Sequence, residues 1–159
     1  MKLNIGVGKK PKEGFIGVDI SRDTDADIII DCEKPLPFTD ESVDEVYSQH
    51  FLEHIHNPDE FLQELFRVCK PGAKCEFHLP NHSSDLSIVL SHYWQPSIWY
   101  AEALIKARGF KIDKIEYDFT KEIQDPKNPF HKYYLEDREA CAKHLWNAVW
   151  QLRFYFHKP

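Results

Sequence analysis

The sequence lacks the features that mark three special classes of protein. No apolar run approaches the roughly 20 residues that a membrane-spanning helix needs, so we expect no membrane segment. Lysine and arginine number 20 against 26 aspartates and glutamates, and the net charge of −6 argues against a nucleic-acid partner, because nucleic-acid binders present a basic surface. The four cysteines form no C-x-x-C pair and follow no zinc spacing, which argues against a stapled scaffold or a zinc finger.

The chain also contains no internal repeat, low-complexity tract or linker that would divide it. Its 159 residues, 42% of them hydrophobic, predict a single globular domain over residues 1–159. Scattered cysteines without a signal peptide predict a cytoplasmic protein. The aromatic residues are numerous (11 Phe, 7 Tyr and 4 Trp) and crowd after residue 93, where they either fill the core or line a pocket or an interface.

Short apolar runs separated by glycine, aspartate and proline predict four strands in the first third of the chain. Residues 2–5 lead into a glycine turn, and residues 15–19 end in an acid. Residues 27–31 contain three consecutive isoleucines, which is typical of a strand buried on both faces of a parallel sheet. The fourth run is 43–48. Three of these runs end in a glycine or a carboxylate, at the edge where open α/β sheets bind ligands.

The rest of the chain alternates helix and strand signals. Asn57 and Pro58 begin a helix whose first turn is acidic, and Lys70-Pro71-Gly72 ends it. The later predicted elements are, in order, a strand over 75–79, a helix over 95–108 capped by Gly109, a strand over 111–119, a loop over 125–129, a helix over 135–144 and a strand over 149–156.

This order of elements predicts an α/β sheet that is mostly parallel in its middle. The connections at the front are in conflict with that arrangement. Only residues 7–14 join the first two strands, whereas a parallel crossover usually takes about a dozen residues or more. Either the front of the sheet is a meander, or the crossover helices have been reduced to loops.

Several short segments stand in a recognisable order and spacing. They are LNIGVG at 3–8, GFIGVDI at 14–20, Asp31 with PLPF at 35–38, SVDEVYSQHFLEH at 42–54, LFRVCKPG at 65–72, LPN at 79–81 and ARGF at 107–110. Together they resemble the class I S-adenosylmethionine-dependent methyltransferases, and more narrowly the compact type-11 branch. The resemblance implies a Rossmann-like sheet of about seven strands with an antiparallel last strand and shortened first crossovers.

The resemblance also implies S-adenosylmethionine as the cofactor and methyl transfer to a small-molecule acceptor as the activity. Gly6 and Gly8 would let the backbone approach the methionine part of the cofactor. Asp19 would accept hydrogen bonds from the ribose, as acids at this position do in nucleotide-binding folds. The alternative for Asp19 and Asp31 is solvation of a loop or capping of a turn. The expected cofactor contacts are Gly6, Val7, Gly8, Asp19, Ile20, Asp31, Cys32, Gln49 and His50.

The glycine loop departs from the family pattern. Val7 replaces a smaller residue, and Lys10 stands where the family has a third glycine. The missing first helix removes a helix N-terminus that would face the carboxylate of the cofactor, so Lys9, Lys10 or Lys12 is expected to supply the positive charge. A sheet face with few helices needs a cover, and we therefore expect a homo-oligomer such as a homodimer.

Two histidines are the candidate catalytic residues. His50 is the first candidate for a general base and His54 the second, because histidine titrates near neutral pH. The alternative, that His50 and His54 only form structural hydrogen bonds, accounts for these two residues equally well. Residues 50–54 also match the H-x-x-E-H string of inverted zinc peptidases, but that string needs a long helix and a distant third ligand. A zinc hydrolase using His50, Glu53 and His54 is a remote alternative, and no metal is expected.

The acceptor is expected to contact residues 82–99 and 125–134, where the sequence differs most from its relatives. Four side chains are candidates for an aromatic wall: Trp94, Trp99, Tyr133 and Tyr134. Trp146 and Trp150 are expected in the core or at an interface. The shortened crossovers also favour a non-enzymatic alternative, in which a methyltransferase-like fold has lost turnover and serves as a binding or partner subunit.

Overall fold

The computed structural model describes residues 1–84, 89–145 and 147–159, apart from the side chain of His144. Its strands are β1 (Lys2–Ile5), β2 (Ile16–Asp19), β3 (Ile28–Ile29), β4 (Val43–Gln49), β5 (Cys69–Pro80), β6 (Lys111–Phe119) and β7 (Val149–His157). Its helices are α1 (Pro58–Val68), α2 (Ile98–Ala107), α3 (Lys121–Gln124), α4 (His131–Glu136) and α5 (Arg138–His144), and a 3₁₀ turn spans Leu52–His54. Among the helices in these ranges, none has the length and apolar character needed to cross a bilayer.

The strands form one seven-stranded sheet in the order β3-β2-β1-β4-β5-β7-β6. Strands β1 to β5 pair in parallel with their neighbours, and β7 is antiparallel to both β5 and β6. The predicted Rossmann-like sheet with an antiparallel last strand is therefore confirmed. The parallel pairing of β1 with β2 excludes the meander.

Loops replace the first crossover helices, as the resemblance implied. Backbone hydrogen bonds hold these loops to the strand ends: the amides of Gly6 and Val7 both donate to the carbonyl of Val18. In the next loop, the Asp27 carboxylate accepts from the Gly17 amide at 2.7 Å. Each loop thus carries the chain from the carboxyl end of one strand back to the amino edge of the sheet, where the next parallel strand begins, without a helix.

Helix α1 begins where the sequence predicts, because Asn57 accepts a hydrogen bond from the Glu60 amide and Pro58 occupies the first turn. Its apolar side chains face the sheet. The prediction that β5 begins at residue 75 is wrong, since the strand starts at Cys69, directly after α1. A register shift between Val43 and Glu45 of β4 accommodates the intervening proline and glycine within the strand.

Helix α2 lies beside α1 on the same face of the sheet. The hydroxyl of Ser97 caps it by accepting from the Tyr100 amide at 3.2 Å. Gly109 follows its last turn at φ +91°, which confirms the predicted C-terminal cap. Arg108 then forms two hydrogen bonds with Asp59, so the end of α2 is tied to the start of α1.

The helix predicted over residues 135–144 is divided in the structure. Asp137 leaves the helical conformation and its carboxylate caps α5 by accepting from the Ala140 amide at 2.9 Å. Residues 131–136 form the separate helix α4, and the short helix α3 was missed altogether. The helix is interrupted because the Asp137 side chain bonds to the backbone as a cap, and this local interaction outweighs the apolar periodicity that predicted one continuous helix.

The two faces of the sheet differ in chemistry. The face under α1 and α2 is apolar and includes Phe77, Phe154 and Phe156, each at most 1% exposed. The opposite surface, called here the open face, carries the alternate side chains of β4 to β7. Its members are Tyr47, Gln49, Glu76, His78, Lys114, Glu116, Asp118, Arg153 and Tyr155.

Ion pairs connect the polar side chains of the open face. Lys12 reaches Glu76 at 3.0 Å and lies 3.7 Å from the centre of the Tyr47 ring. Arg153 is paired with both Glu116 and Asp118. Because these side chains are polar or charged and several of them are paired, this surface does not present the apolar patch that a large obligate interface has. The homodimer stays a prediction.

His78 on this face predicts a pH dependence of stability. Burial lowers the pKa of His78, although Glu76, 2.7 Å from its Nε2, opposes the shift. A depressed folded-state pKa means that the unfolded chain binds more protons, so this contribution is complete above the ordinary histidine pKa and is lost on acidification. We expect the unfolding free energy to fall between pH 7.5 and 5.5, and to fall less in His78→Gln.

Urea denaturation at several pH values measures this difference. The two proteins should show parallel profiles between pH 7.5 and 8.5, where the imidazole is neutral in both the folded and the unfolded state. Equal slopes below pH 7.5 would show that His78 does not contribute.

Candidate functional site

A cavity of about 530 Å³ opens at the carboxyl ends of β1, β2, β3 and β4. This edge contains the point where the strand order reverses, between β1 and β4, which is where open α/β sheets bind their ligands. Its volume lies within the usual range for small-molecule sites. Its lining residues are Gly6, Gly8, Asp19, Ile20, Ile30, Asp31, Cys32, Glu33, His50, Phe51, His54, Ile55, His56 and Tyr93.

The glycine turn after β1 forms the floor of the cavity. Gly6 has φ +69°, and a Cβ added there would lie 2.6 Å from the Cβ of Phe51. Gly8 has φ +54° but faces open space. Gly6 is therefore required by both backbone conformation and close approach, whereas Gly8 is required by conformation alone.

Asp19 stands at the end of β2 with a fixed carboxylate. Its Oδ2 accepts from the Gly8 amide and its Oδ1 from the Ser21 amide, each at 3.0 Å. Each carboxylate oxygen has a second lone pair, so the side chain can accept two further hydrogen bonds from a ligand in the cavity. The contact with Gly8 also joins the ends of β1 and β2.

Asp31 and Cys32 follow β3 on the adjacent wall. The Glu33 amide and the Lys34 ammonium both donate to Asp31 and lower the pKa of its carboxyl group. Burial raises the pKa of the Cys32 thiol to about 12, and the charges of Asp31 and Asp19 add to that shift. The thiol is thus held in its protonated, unreactive form.

His50 follows β4 at φ +50°, and its ring stacks on Trp150. Its Nε2 lies 2.9 Å from Oε1 of Gln151, whose amide group donates to Asp118. That donation orients the amide, so Nε2 of His50 must be the donor in its own hydrogen bond. Its Nδ1 faces Glu53 at 3.3 Å. Both ring nitrogens therefore face protein groups.

Glu53 and His54 lie in the short 3₁₀ turn rather than on a long helix. The carboxylate of Glu53 is fully buried, and neither oxygen has a hydrogen-bond partner among the described residues. Nδ1 of His54 donates to the Ser91 carbonyl at 2.9 Å, which leaves the lone pair on Nε2. The H-x-x-E-H string lacks the helical geometry of an inverted zinc peptidase.

Two expected cofactor contacts line a neighbouring cavity of about 290 Å³ instead. Val7 is buried and packs against Gly17, so its backbone alone is available to a ligand. Gln49 accepts a hydrogen bond from the Tyr47 hydroxyl at 3.2 Å. The two cavities share Gly6, Gly8 and His50. The other seven expected contacts line the larger cavity.

The three candidate lysines have different partners. Lys12 is held on the open face by Glu76, and Lys9 is 3.6 Å from Asp25 at the surface. Lys10 lines the smaller cavity and has no ion pair with any residue in the described ranges. Lys10 is therefore the lysine whose charge is available to a ligand.

Sequence reasoning missed five lining residues. They are Ile30, Glu33, Phe51, Ile55 and His56. All five lie within two residues of a predicted site residue, and extending the window would have found them. Tyr93 was expected only as part of the acceptor segment 82–99, and it lines the larger cavity. It reaches the cavity because its amide donates to the Glu53 carbonyl at 3.0 Å and its ring stacks on His56.

The structure gives the four residues of the expected aromatic wall different surroundings. Trp94 donates to the Leu52 carbonyl and packs on Tyr100, while Trp99 is 54% exposed on α2. Tyr133 lines a separate cavity beside α5, and Tyr134 packs on Phe119. Trp150 lies against His50. Trp146 and residues 85–88 of the expected acceptor segment lie outside the described residues.

Comparison with known proteins agrees with this fold. A family described as "Methyltransferase domain" matches residues 10–77. An uncharacterized protein of Methanocaldococcus jannaschii, MJ1123, is 30% identical over 77% of this chain and 69% of its own length. An S-adenosylmethionine-dependent methyltransferase of Archaeoglobus fulgidus shares the fold at a TM-score of 0.76 and 20% identity, over 99% of this chain and 85% of the other. The chain belongs to the class I S-adenosylmethionine-dependent methyltransferases.

A second structural neighbour of this methyltransferase-family chain comes from an assembly of two proteins. It is a chain from the complex between the Haloferax volcanii Trm112 methyltransferase activator and a methyltransferase, and it has a TM-score of 0.68 and 19% identity over 99% of this chain and 82% of that one. At this identity the likeness shows the fold. The family match at residues 10–77 begins after Gly6 and Gly8, so the role of the glycine turn rests on its geometry.

Proposed function

We propose that this chain transfers a methyl group from S-adenosylmethionine to a small-molecule acceptor. The observation that carries the proposal is the single cavity that gathers the glycine turn, Asp19 and Asp31 at the carboxyl edge of the parallel strands. The cradle at Gly6 and the unused lone pairs of Asp19 fit a nucleoside-containing ligand.

In this proposal the cavity binds the adenosine part of the cofactor. Asp19 accepts from the ribose hydroxyls, and Asp31 with the Cys32 backbone faces the adenine edge. Ile20 supports this placement, because it is 66% exposed at the cavity wall and would be covered by a bound ring. The adjoining smaller cavity, with Lys10 at its wall, takes the methionine part.

The cofactor supplies an electrophilic methyl group, and the remaining work is to position the acceptor and exclude water. Of the two candidate bases, His50 has both ring nitrogens facing protein groups, and its contact with Glu53 favours a positioning role. His54 keeps a lone pair on Nε2, for which no described residue is a hydrogen-bond partner. If the acceptor must lose a proton, His54 is the better placed base.

Calorimetric titration with S-adenosylhomocysteine, run beside NAD, tests the cofactor assignment. We expect micromolar, one-to-one binding of S-adenosylhomocysteine and none of NAD. Absence of binding would contradict the proposal and show that the shortened crossover has removed the site. Turnover is then measured with labelled S-adenosylmethionine against pools of small-molecule acceptors.

The second candidate is a methyltransferase-like subunit that depends on, or serves, a partner chain. The Haloferax volcanii neighbour was solved in a complex with an activator, which favours this candidate. Binding of S-adenosylhomocysteine without turnover on any acceptor, together with recovery of a stable hetero-complex, would select it over the enzyme acting alone.

The remaining expectations are part of the same proposal. A cytoplasmic location is supported by the four cysteines, all of which are buried and free. An acceptor other than nucleic acid is supported by the net charge of −6. A homodimer is proposed as the oligomeric state, to be tested by light scattering.

A further inference from the structure

Three side chains with metal-ligating atoms converge beside the cofactor cavity. Glu53, His54 and His92 each offer one such atom, and these three atoms lie within 4.8 Å of one another. The 3₁₀ turn supplies the first two residues, and the segment after residue 88 supplies the third. Two backbone contacts lock the elements together: the Tyr93 amide donates to the Glu53 carbonyl, and His54 donates to the Ser91 carbonyl.

The carboxylate of Glu53 is the unusual member of this cluster. It is 0% exposed, and neither of its oxygens has a hydrogen-bond partner within the described residues. A buried carboxylate without hydrogen bonds is costly unless a positive charge lies beside it. Two ring nitrogens lie near it, Nδ1 of His50 at 3.3 Å and Nε2 of His92 at 4.0 Å. A cation among these groups would satisfy the carboxylate.

His54 is oriented as a metal-binding histidine usually is, and His92 packs against it. His54 uses Nδ1–H to donate to a backbone carbonyl, which fixes its tautomer and leaves Nε2 with a lone pair. Metal-binding histidines almost always use their second nitrogen in this way. The side chain of His92 is only 8% exposed, and its ring packs edge-to-face on His54 with the centroids 4.7 Å apart.

We propose that Glu53, His54 and His92 bind one divalent transition-metal ion, with Zn²⁺ as the preferred ion. Two imidazoles and one carboxylate favour such ions over Mg²⁺ or Ca²⁺, which prefer oxygen ligands. Metal–ligand bonds of about 2.1 Å in a tetrahedral site place two ligand atoms about 3.4 Å apart, so side-chain rotations that close the cluster by up to about 1.4 Å are needed.

This ligand set differs from that of a zinc hydrolase. His50 is outside the set, because its Nε2 is used by Gln151. Three protein ligands leave a coordination position open. His54 also lines the cofactor cavity, so that position can hold an oxygen atom of the acceptor. Binding of an acceptor oxygen by the metal rests on the proposed function, whereas metal binding itself does not. Metal occupancy would also remove His54 from the candidate bases.

Metal binding is tested on the full chain after treatment with a chelator. Calorimetric titration with ZnCl₂ is expected to show one site of submicromolar affinity, and MgCl₂ is expected to bind at least 100-fold more weakly. Glu53→Gln and His54→Gln should each weaken Zn²⁺ binding by at least 100-fold. The matched control is His56→Gln, which removes a nearby imidazole that bonds Glu33 instead, and it should leave the affinity unchanged.

Two further measurements separate a lost ligand from a lost fold. Circular dichroism checks each variant, and Co²⁺ replacing Zn²⁺ in the unmodified chain reports ligand number through its visible absorption. Absence of stoichiometric Zn²⁺ binding, or equal weakening in all three variants, would overturn the proposal. S-adenosylhomocysteine is titrated into the same samples without metal, so failure of the metal site and failure of the cofactor site are distinguished.

Discussion

Replacing Gly6 with alanine is expected to lower the unfolding free energy by about 2–5 kcal/mol and to abolish detectable binding of S-adenosylhomocysteine. The new Cβ would lie 2.6–2.8 Å from three atoms of the Phe51 side chain. Overpacking of this kind usually costs about 1–3 kcal/mol, and holding alanine at φ +69° adds about 1–2 kcal/mol. Because Phe51 lines the cavity, its displacement changes the site as well as the fold.

Gly14→Ala is the matched control for this prediction. Gly14 also has a positive φ, of +78°, but an added Cβ there meets nothing within 4 Å, and the residue is outside the cavity. Only the conformational cost of about 1–2 kcal/mol is expected, with ligand affinity unchanged. Urea denaturation and calorimetry measure both quantities. Equal behaviour of the two variants would show that the contact with Phe51 is unimportant.

Replacing Asp19 with alanine is expected to weaken binding of S-adenosylhomocysteine by about 10–100-fold, or about 1.4–2.7 kcal/mol. The substitution removes the acceptor for the ribose hydroxyls. It also leaves the amides of Gly8 and Ser21 without a partner at the site. An unsatisfied partially buried donor costs about 1–3 kcal/mol, part of which water recovers in the empty cavity.

Asp27→Ala separates ligand contact from loop order. Asp27 also accepts a backbone hydrogen bond, from Gly17 at 2.7 Å, but it does not line the cavity. We expect it to cost about 1 kcal/mol of stability and to leave the affinity within twofold of the unmodified chain. If both aspartate variants lose affinity equally, Asp19 acts by ordering the loop and does not contact the ligand.

The sequence was most informative where the structure is local. Each strand of the front sheet ends near a glycine or a carboxylate, and the predicted contacts Gly6, Asp19 and Asp31 do share one cavity. These residues could be found because parallel strands place their carboxyl ends at one edge, whatever the details of the loops. The capping signals at Asn57 and Gly109 were found for the same reason, since a cap involves neighbours along the chain.

Features that depend on distant contacts could not be read in this way. Residues 82–99 were expected near the acceptor, but no local pattern indicates that His92 and Tyr93 of this segment meet the 3₁₀ turn. The proton positions on His50 depend on Gln151, which lies on the last strand. The start of β5 was misplaced because β5 continues its pairing with β4 across a proline and a glycine, which are residues that usually interrupt a strand.

The position of β7 has a consequence for the order in which the chain folds. Among the strands of the described residues, β6 pairs only with β7, and β7 occupies the place between β6 and β5. Residues 111–119 therefore have no strand to join until residues 149–157 have been synthesised and inserted. Until then, the edge of β5 is open to any matching strand, including β7 of a second copy. From this strand order we expect exchange of β7 between nascent chains to be a route to misassembly.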